Sequence, residues 1–329
     1  MLNLTRKILT PVSVSGREDA VIGVIAEEIA PYVDSLTTDP MGNLIAFKAG
    51  VGENKKKLMY AAHIDEIGFI VSYIEESGYL RFHTIGGINF SSAAFTHVVF
   101  ENGLRGVLVL EGGELRADKC YVDIGAKNRK DAERRVKIGD TFAVVSDVVK
   151  LAGSRVAGRP MDDRIGAVIL IEAAKRLAGR EVYNDTYFVF TTEEEVGCRG
   201  AKTAAYNIMP DVGIALDVTR TGDTPNCAPM AVKLGDGAAI KIKDSSVVCD
   251  RELVAKMKKA AEENKIKHQF EILSGGGTDT SSMQENAGGA IAGCISIPTR
   301  YIHSTVETID MNDVEASVQL TMAMCDVQY

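Results

Sequence analysis

Beyond Arg159 the chain alternates short apolar runs with longer stretches of helical period, and this alternation leaves few architectures open. Helices are expected over 163–177, 251–264 and 313–325, and strands over 186–190, 212–216 and 238–242. Strands spaced by helices bury both sheet faces, so an α/β/α sandwich is predicted. Nearer the N-terminus, Val21, Ile25 and Ile29 recur at the spacing of an amphipathic helix over 18–33. The run 57–62 reads as a short buried strand leading directly into His63. From about Ile70 to Val156 the texture changes to brief alternating runs between glycine-containing turns, such as Tyr79-Leu80-Arg81-Phe82 and His97-Val98-Val99-Phe100. An inserted β-rich unit is predicted there, with one short helix at 131–135.

The chain's 329 residues suffice for one large core with a substantial insertion, or for two domains. A net charge of -8 and no basic run beyond 55–57 leave a nucleic-acid surface without an electrostatic footprint. No stretch reaches the roughly 20 apolar residues of a membrane span, and residues 1–16 lack the apolar core of a secretory leader. The six cysteines contain no Cys-x-x-Cys pair, which argues against a disulfide framework or a structural zinc cluster and for thiols in a reducing compartment. A cytoplasmic protein is expected.

Four separated segments set acids or imidazoles beside predicted strand or helix ends. In the first, His63 is followed by Asp65, which is placed to hydrogen-bond the second ring nitrogen and fix the tautomer; a lone histidine is otherwise most often structural. In the second, Asp162 and Asp163 precede an apolar helix. Capping explains one such aspartate, and metal bridging is open to the other. In the third, Glu193-Glu194-Glu195 abuts the strand 186–190; such a run is usually a solvated face, but this one falls where α/β enzymes place their sites. Like charges crowded there call for a cation. The fourth pairs Asp217, at the end of an apolar strand, with His303. His83, His97 and His268 lack such company and read as structural.

Taken together, these motifs resemble the tetrahedral aminopeptidases, dodecameric co-catalytic metallopeptidases whose members have sometimes been labelled endoglucanases. The resemblance runs from Ser13-Val14-Ser15-Gly16 through Ala62-His63-Ile64-Asp65-Glu66, Tyr121-Val122-Asp123-Ile124-Gly125, Met161-Asp162-Asp163-Arg164, Glu194-Glu195-Val196-Gly197, Asp217 and Gly275-Gly276-Gly277-Thr278-Asp279 to His303. It implies that Asp162 bridges two divalent ions, zinc or cobalt with manganese possible as a third choice. His63 and Asp217 would complete one ion, and Glu195 and His303 the other. It further implies Asp65 as the residue orienting His63, Glu194 as general base for a metal-bridging water, and peptides as substrates. The implied division is a catalytic unit of 1–68 and 157–329 interrupted by a β-barrel-like dimerisation unit at 69–156, with twelve subunits in the assembly.

The chain departs from the family pattern at Glu193, where glutamine is expected, at Cys198, where leucine is usual, and at Asn226, where glycine is common. The glycine run at 275–277 lacks the Gly-Lys-Ser/Thr of a phosphate loop and reads as a turn shaping the pocket, with Thr278 and Asp279 as candidate substrate contacts. Arg220, three residues past Asp217, raises the hypothesis that acidic N-terminal residues are accepted, against the reading of a plain surface arginine. The residues leave other reactions open: a di-metal deacylase or carboxypeptidase, a glycoside hydrolase using paired carboxylates, and a non-catalytic metal-binding scaffold.

Overall fold

The computed structural model describes residues 1–112 and 115–329. Its main sheet has eleven strands. Nine follow one path: Ser35–Thr38, Leu44–Lys48, Asp185–Thr191, Lys57–His63, Val212–Thr219, Ile291–Arg300, Thr308–Asp310, Arg155–Ala157 and Val149–Lys150. Ala238–Lys243 branches from Ile291–Arg300 and carries His268–Ile272 on its outer side. The four strands at the centre, Asp185–Thr191, Lys57–His63, Val212–Thr219 and Ile291–Arg300, are mutually parallel.

Strand alternation builds two hydrophobic layers. Leu58, Tyr60, Phe188, Phe190, Ile214 and Leu216 turn into the larger core. Met59, Ala61, Val189 and Ala215 turn into the smaller one. The larger core packs beneath the helices Asp19–Ile29, Arg164–Leu177, Arg251–Glu263 and Met311–Met324. The smaller one is closed by the helices Arg199–Ile208 and Asp279–Gln284. Arg164–Leu177 is buried along most of its circumference, as expected of a helix covered both by the sheet and by neighbouring helices. The result is the α/β/α sandwich expected from the sequence.

Six antiparallel strands between Gly68 and Val144 close into a separate barrel, ordered Gly68–Ile74, Leu80–Ile85, Cys120–Asp123, Arg105–Leu110, Thr96–Phe100 and Thr141–Val144. Phe69, Phe82, Phe100 and Phe142 fill its interior; the Phe69 and Phe142 rings stack with centroids 5.0 Å apart. The short helix expected at 131–135 forms at Arg129–Ala132, where the Asn128 side chain accepts from Asp131 N–H. A second one-turn helix, Phe90–Ala93, was not expected; it is capped by Asn89 in the same way. Among the described residues, no helix is long and apolar enough to cross a membrane.

Candidate active site

Because the central strands are parallel, their carboxyl ends meet at one edge of the sheet, where open α/β sheets place ligand sites. The register sets Thr191 beside His63 and Asp217 beside Ser296. Asp217 does not end its strand as the sequence suggested, since Val218 and Thr219 continue the pairing. Leu216 and Val218 face the larger core, so alternation turns Asp217 the other way. His303 follows the strand Ile291–Arg300 and adopts a positive φ of 61°. Asp162 sits just before the helix Arg164–Leu177, and the question of which neighbouring aspartate caps it has a clear answer. Asp163 accepts from Gly166 N–H, whereas Asp162 faces the two histidines.

The two oxygens of Asp162 serve different neighbours. Oδ1 lies 3.0 Å from His63 Nε2, and Oδ2 lies 3.1 Å from His303 Nε2. His63 Nε2 is also 4.0 Å from Asp217, and His303 Nε2 is 3.3 Å from Glu195 Oε1. Two sets of three donors result, His63/Asp162/Asp217 and Asp162/Glu195/His303; within each, one ligand atom per residue lies within 4.8 Å of the others. Glu194 belongs to neither set, with Oε2 3.9 Å from His63 Nε2.

Asp65 organises this arrangement from below. Its fully buried carboxylate accepts from Ser15 Oγ at 2.7 Å and from the backbone N–H groups of Glu194 at 3.0 Å and Glu195 at 3.1 Å, and it lies 3.4 Å from His63 Nδ1. Glu307 plays a matching part that the sequence reading missed. Its carboxylate accepts from the backbone N–H groups of Met161, Asp162 and His303, tying the two sides of the site together. The only local hint is that it stands four residues after His303.

Crowding dominates the electrostatics. Burial raises Glu194 to about 8, reinforced by Asp279, Glu195 and Asp65, while His63 opposes the shift. Burial also raises Glu195, and it lifts Asp217 well above the carboxylate range with Asp163 and Asp162 adding to the effect. Burial opposes a charge on His303, yet Asp162 and Glu195 outweigh it and raise the imidazole to about 11. Against the same penalty, His303 and His63 hold Asp162 well below the usual range. The surrounding acids draw both imidazoles toward their charged forms, which marks the cluster as short of positive charge. Glu195 Oε1 is buried and, apart from His303 Nε2 at 3.3 Å, has no polar partner. A divalent cation would satisfy that oxygen and the clustered acids, and imidazole with carboxylate is a donor set suited to zinc, cobalt or manganese.

A cavity of about 590 Å³ opens over these groups and is lined by His63, Asp162, Glu194, Glu195, Asp217 and His303. Gly87, Ile88 and Asn89 from the barrel form part of its rim. A Cβ at Gly87 would stand 3.4 Å from His303 Nδ1, so the barrel loop approaches the imidazole closely. The glycines 275–277 and Arg220 also line the wall. Thr278 and Asp279 are buried behind it. Thr278 caps the helix Asp279–Gln284, and Asp279 Oδ2 accepts from Thr191 Oγ1, so neither lies among the lining groups where a substrate contact would be made. No sequence signal distinguished a capping threonine from a wall residue.

Imidazole and carboxylate donors gathered near the carboxyl ends of the four central parallel strands are a donor set of the kind metallohydrolases use. The family profile of M42 glutamyl aminopeptidase matches residues 42–320. The chain belongs to that family and is a peptide-bond hydrolase of aminopeptidase type. It is 45% identical over 331 residues to a protein of Acetivibrio thermocellus named as an aminopeptidase, covering 99% of this chain and 98% of the relative. It is similar in structure to an aminopeptidase of the archaeon Desulfurococcus kamchatkensis, with TM-score 0.95, 35% identity, and coverage of 99% and 94% of the two chains. The Pyrococcus horikoshii TET1 peptidase, which can assemble into a tetrahedron or a large octahedral shell, matches with TM-score 0.89 and 34% identity over 99% of each chain.

Proposed function

We propose that this enzyme releases N-terminal amino acids from short peptides at a centre of two divalent ions, zinc or cobalt with manganese as the alternative. The observation that carries the reading is Asp162, whose two oxygens face two different histidine and carboxylate sets, with the uncommitted carboxylate of Glu194 alongside. His63, Asp162 and Asp217 would hold one ion, and Asp162, Glu195 and His303 the other. When bound, such ions lower the pKa of a shared water from about 15.7 to roughly 7 and polarise the substrate carbonyl. Glu194 would take the water's proton and pass it to the leaving amine, a role supported by its carboxylate lying outside both donor sets with Oε2 3.9 Å from His63 Nε2. Asp65 faces His63 Nδ1 with its backbone carbonyl at 3.2 Å and its carboxylate at 3.4 Å, and that carboxylate also holds the backbone of Glu194.

Glu194→Gln tests the assignment: turnover falls by at least about a hundredfold, the lower range for a general base, while metal binding is retained. An active variant would contradict the role. A chelator abolishes activity and zinc, cobalt or manganese restores it, whereas a glycoside hydrolase would be indifferent. Aminoacyl-anilides assayed beside N-acetylated amino acids separate an aminopeptidase from a deacylase.

The same reading takes residues 1–68 and 157–329 as the catalytic unit and 69–156 as a dimerisation insert, in a homo-oligomer of twelve subunits. The closed barrel between Gly68 and Val144 supports the division, and the assembling Pyrococcus peptidase supports a homo-oligomer. Six free thiols accord with a reducing, cytoplasmic setting. Arg220 is exposed on the cavity wall, while nearby Arg300 is engaged by Asp223 at 2.7 Å; an accessible guanidinium there favours acceptance of acidic N-terminal residues.

A further inference from the structure

Behind the proposed base lies a third group of donors outside both histidine sets. Cys198, Glu194 and Asp279 each offer one ligand atom, and these lie within 4.8 Å of one another. Cys198 Sγ donates to Glu194 Oε1 at 3.1 Å, so the two oxygens of Glu194 are divided: Oε2 looks toward His63 and Oε1 toward the thiol. Asp279 is 3% exposed, and although its Oδ2 is held by Thr191, its Oδ1 is buried with no partner. Cys198 and Glu194 both line the catalytic cavity, which gives an ion a way in. Among the described residues, this is the one candidate metal group that includes a sulfur.

We propose that Cys198, Glu194 and Asp279 form a separate site for a thiophilic divalent cation, cadmium or excess zinc, whose occupation inhibits hydrolysis by engaging Glu194. A thiolate is a soft donor that favours such ions over magnesium or manganese, and the open side toward the cavity leaves room for water as a further ligand. Binding replaces the S–H bond with a sulfur–metal bond, releases one proton to solvent and changes no oxidation state. A cation on Oε1 commits the Glu194 carboxylate as a ligand, so that it is no longer free to act beside His63. The inhibition rests on Glu194 being the base; the binding does not, and the two are read separately.

The test uses holoenzyme carrying two zinc ions per subunit, titrated with cadmium. The expected result is an ultraviolet thiolate-to-cadmium charge-transfer band that saturates at one added equivalent while the zinc content stays constant, with anilide hydrolysis falling in parallel. In Cys198→Leu the band disappears, and half-inhibition needs at least about tenfold more cadmium, the scale on which loss of a supporting group weakens metal binding. Asp279→Asn weakens binding but keeps the band. Cys227→Ser, which removes the other half-buried thiol, changes neither. Absence of the band in the wild type, its survival in Cys198→Leu, or stoichiometric loss of zinc as cadmium enters would each overturn the site. A band without inhibition would leave the site standing and remove Glu194 as base.

Discussion

Asp65→Asn changes one atom of a buried carboxylate that serves four neighbours, and its consequences can be counted from the geometry. Oδ1 receives Glu194 N–H and faces His63 Nδ1; Oδ2 receives Glu195 N–H and Ser15 Oγ–H. Asparagine offers one oxygen. If that oxygen takes the Oδ1 position, the new NH2 opposes Glu195 N–H, and the serine hydroxyl must turn round to accept. If it takes the Oδ2 position, the NH2 opposes Glu194 N–H and the imidazole. Either way one backbone amide, that of Glu194 or of Glu195, is left buried and unsatisfied, at a cost of about 1–3 kcal/mol, and the surviving bonds lose their charge assistance. The side chain keeps its volume, so no cavity term enters. The backbone carbonyl of Asp65 still faces His63 Nδ1 at 3.2 Å, but loss of the carboxylate beside a histidine proposed to bind metal should weaken metal affinity by about 10–100-fold. Equilibrium dialysis against buffered zinc gives the affinity, and anilide turnover at saturating zinc shows whether the displaced Glu194 backbone costs further rate. Affinity and turnover both within about twofold of wild type would refute the argument, because that spread is well below the range expected for such a partner.

Glu66→Gln leaves buried Arg164 and Arg159 without the carboxylate now 3.1 and 3.6 Å from them, and should cost about 3–5 kcal/mol in urea unfolding; a loss under about 1 kcal/mol would show that the guanidinium–carbonyl bonds suffice. Burial raises Glu18 to about 7 against N–H donors from Gly16 and Glu193. Its native state therefore keeps a proton that the unfolded chain releases near 4.5, so its contribution is complete below that pH and lost as pH rises through 7. Glu18→Gln should flatten that decline, by up to about 3 kcal/mol between pH 5 and 8 at 1.36 kcal/mol per unit, and thermal midpoints falling equally in both proteins would reject it. Arg220→Ala should lower the ratio of glutamyl to leucyl anilide hydrolysis by up to about fivefold, the ceiling for an exposed ion pair worth about 1 kcal/mol. An unchanged ratio returns Arg220 to the plain surface.

What the sequence made legible is chemistry tied to a local pattern. His63 and Glu194-Glu195 follow apolar strands, and an acid or imidazole at such an end is conspicuous because the preceding residues are not. Adjacent Asp162 and Asp163 could not be told apart by the same means, since what separates them is Gly166 N–H on one side and two distant histidines on the other. The strand Ile291–Arg300 escaped notice although it lies at the sheet's centre. Gly293 and Pro298 interrupt its apolar run, while the structure tolerates both, the proline near the strand's end opposite Thr219. The helix Arg199–Ile208 was missed for a related reason. Its small residues Gly200, Ala201, Ala204 and Ala205 make a weak apolar stripe but pack closely under the sheet. Glu307 is the sharpest case. Its effect on the site comes from accepting three backbone N–H groups, two of them nearly 150 residues away in sequence, and no residue near it announces that. Candidate donors can be found by their type and position, but the groups that hold them in place are defined by tertiary contacts, so motif reading proposes a donor set before it finds what makes that set rigid.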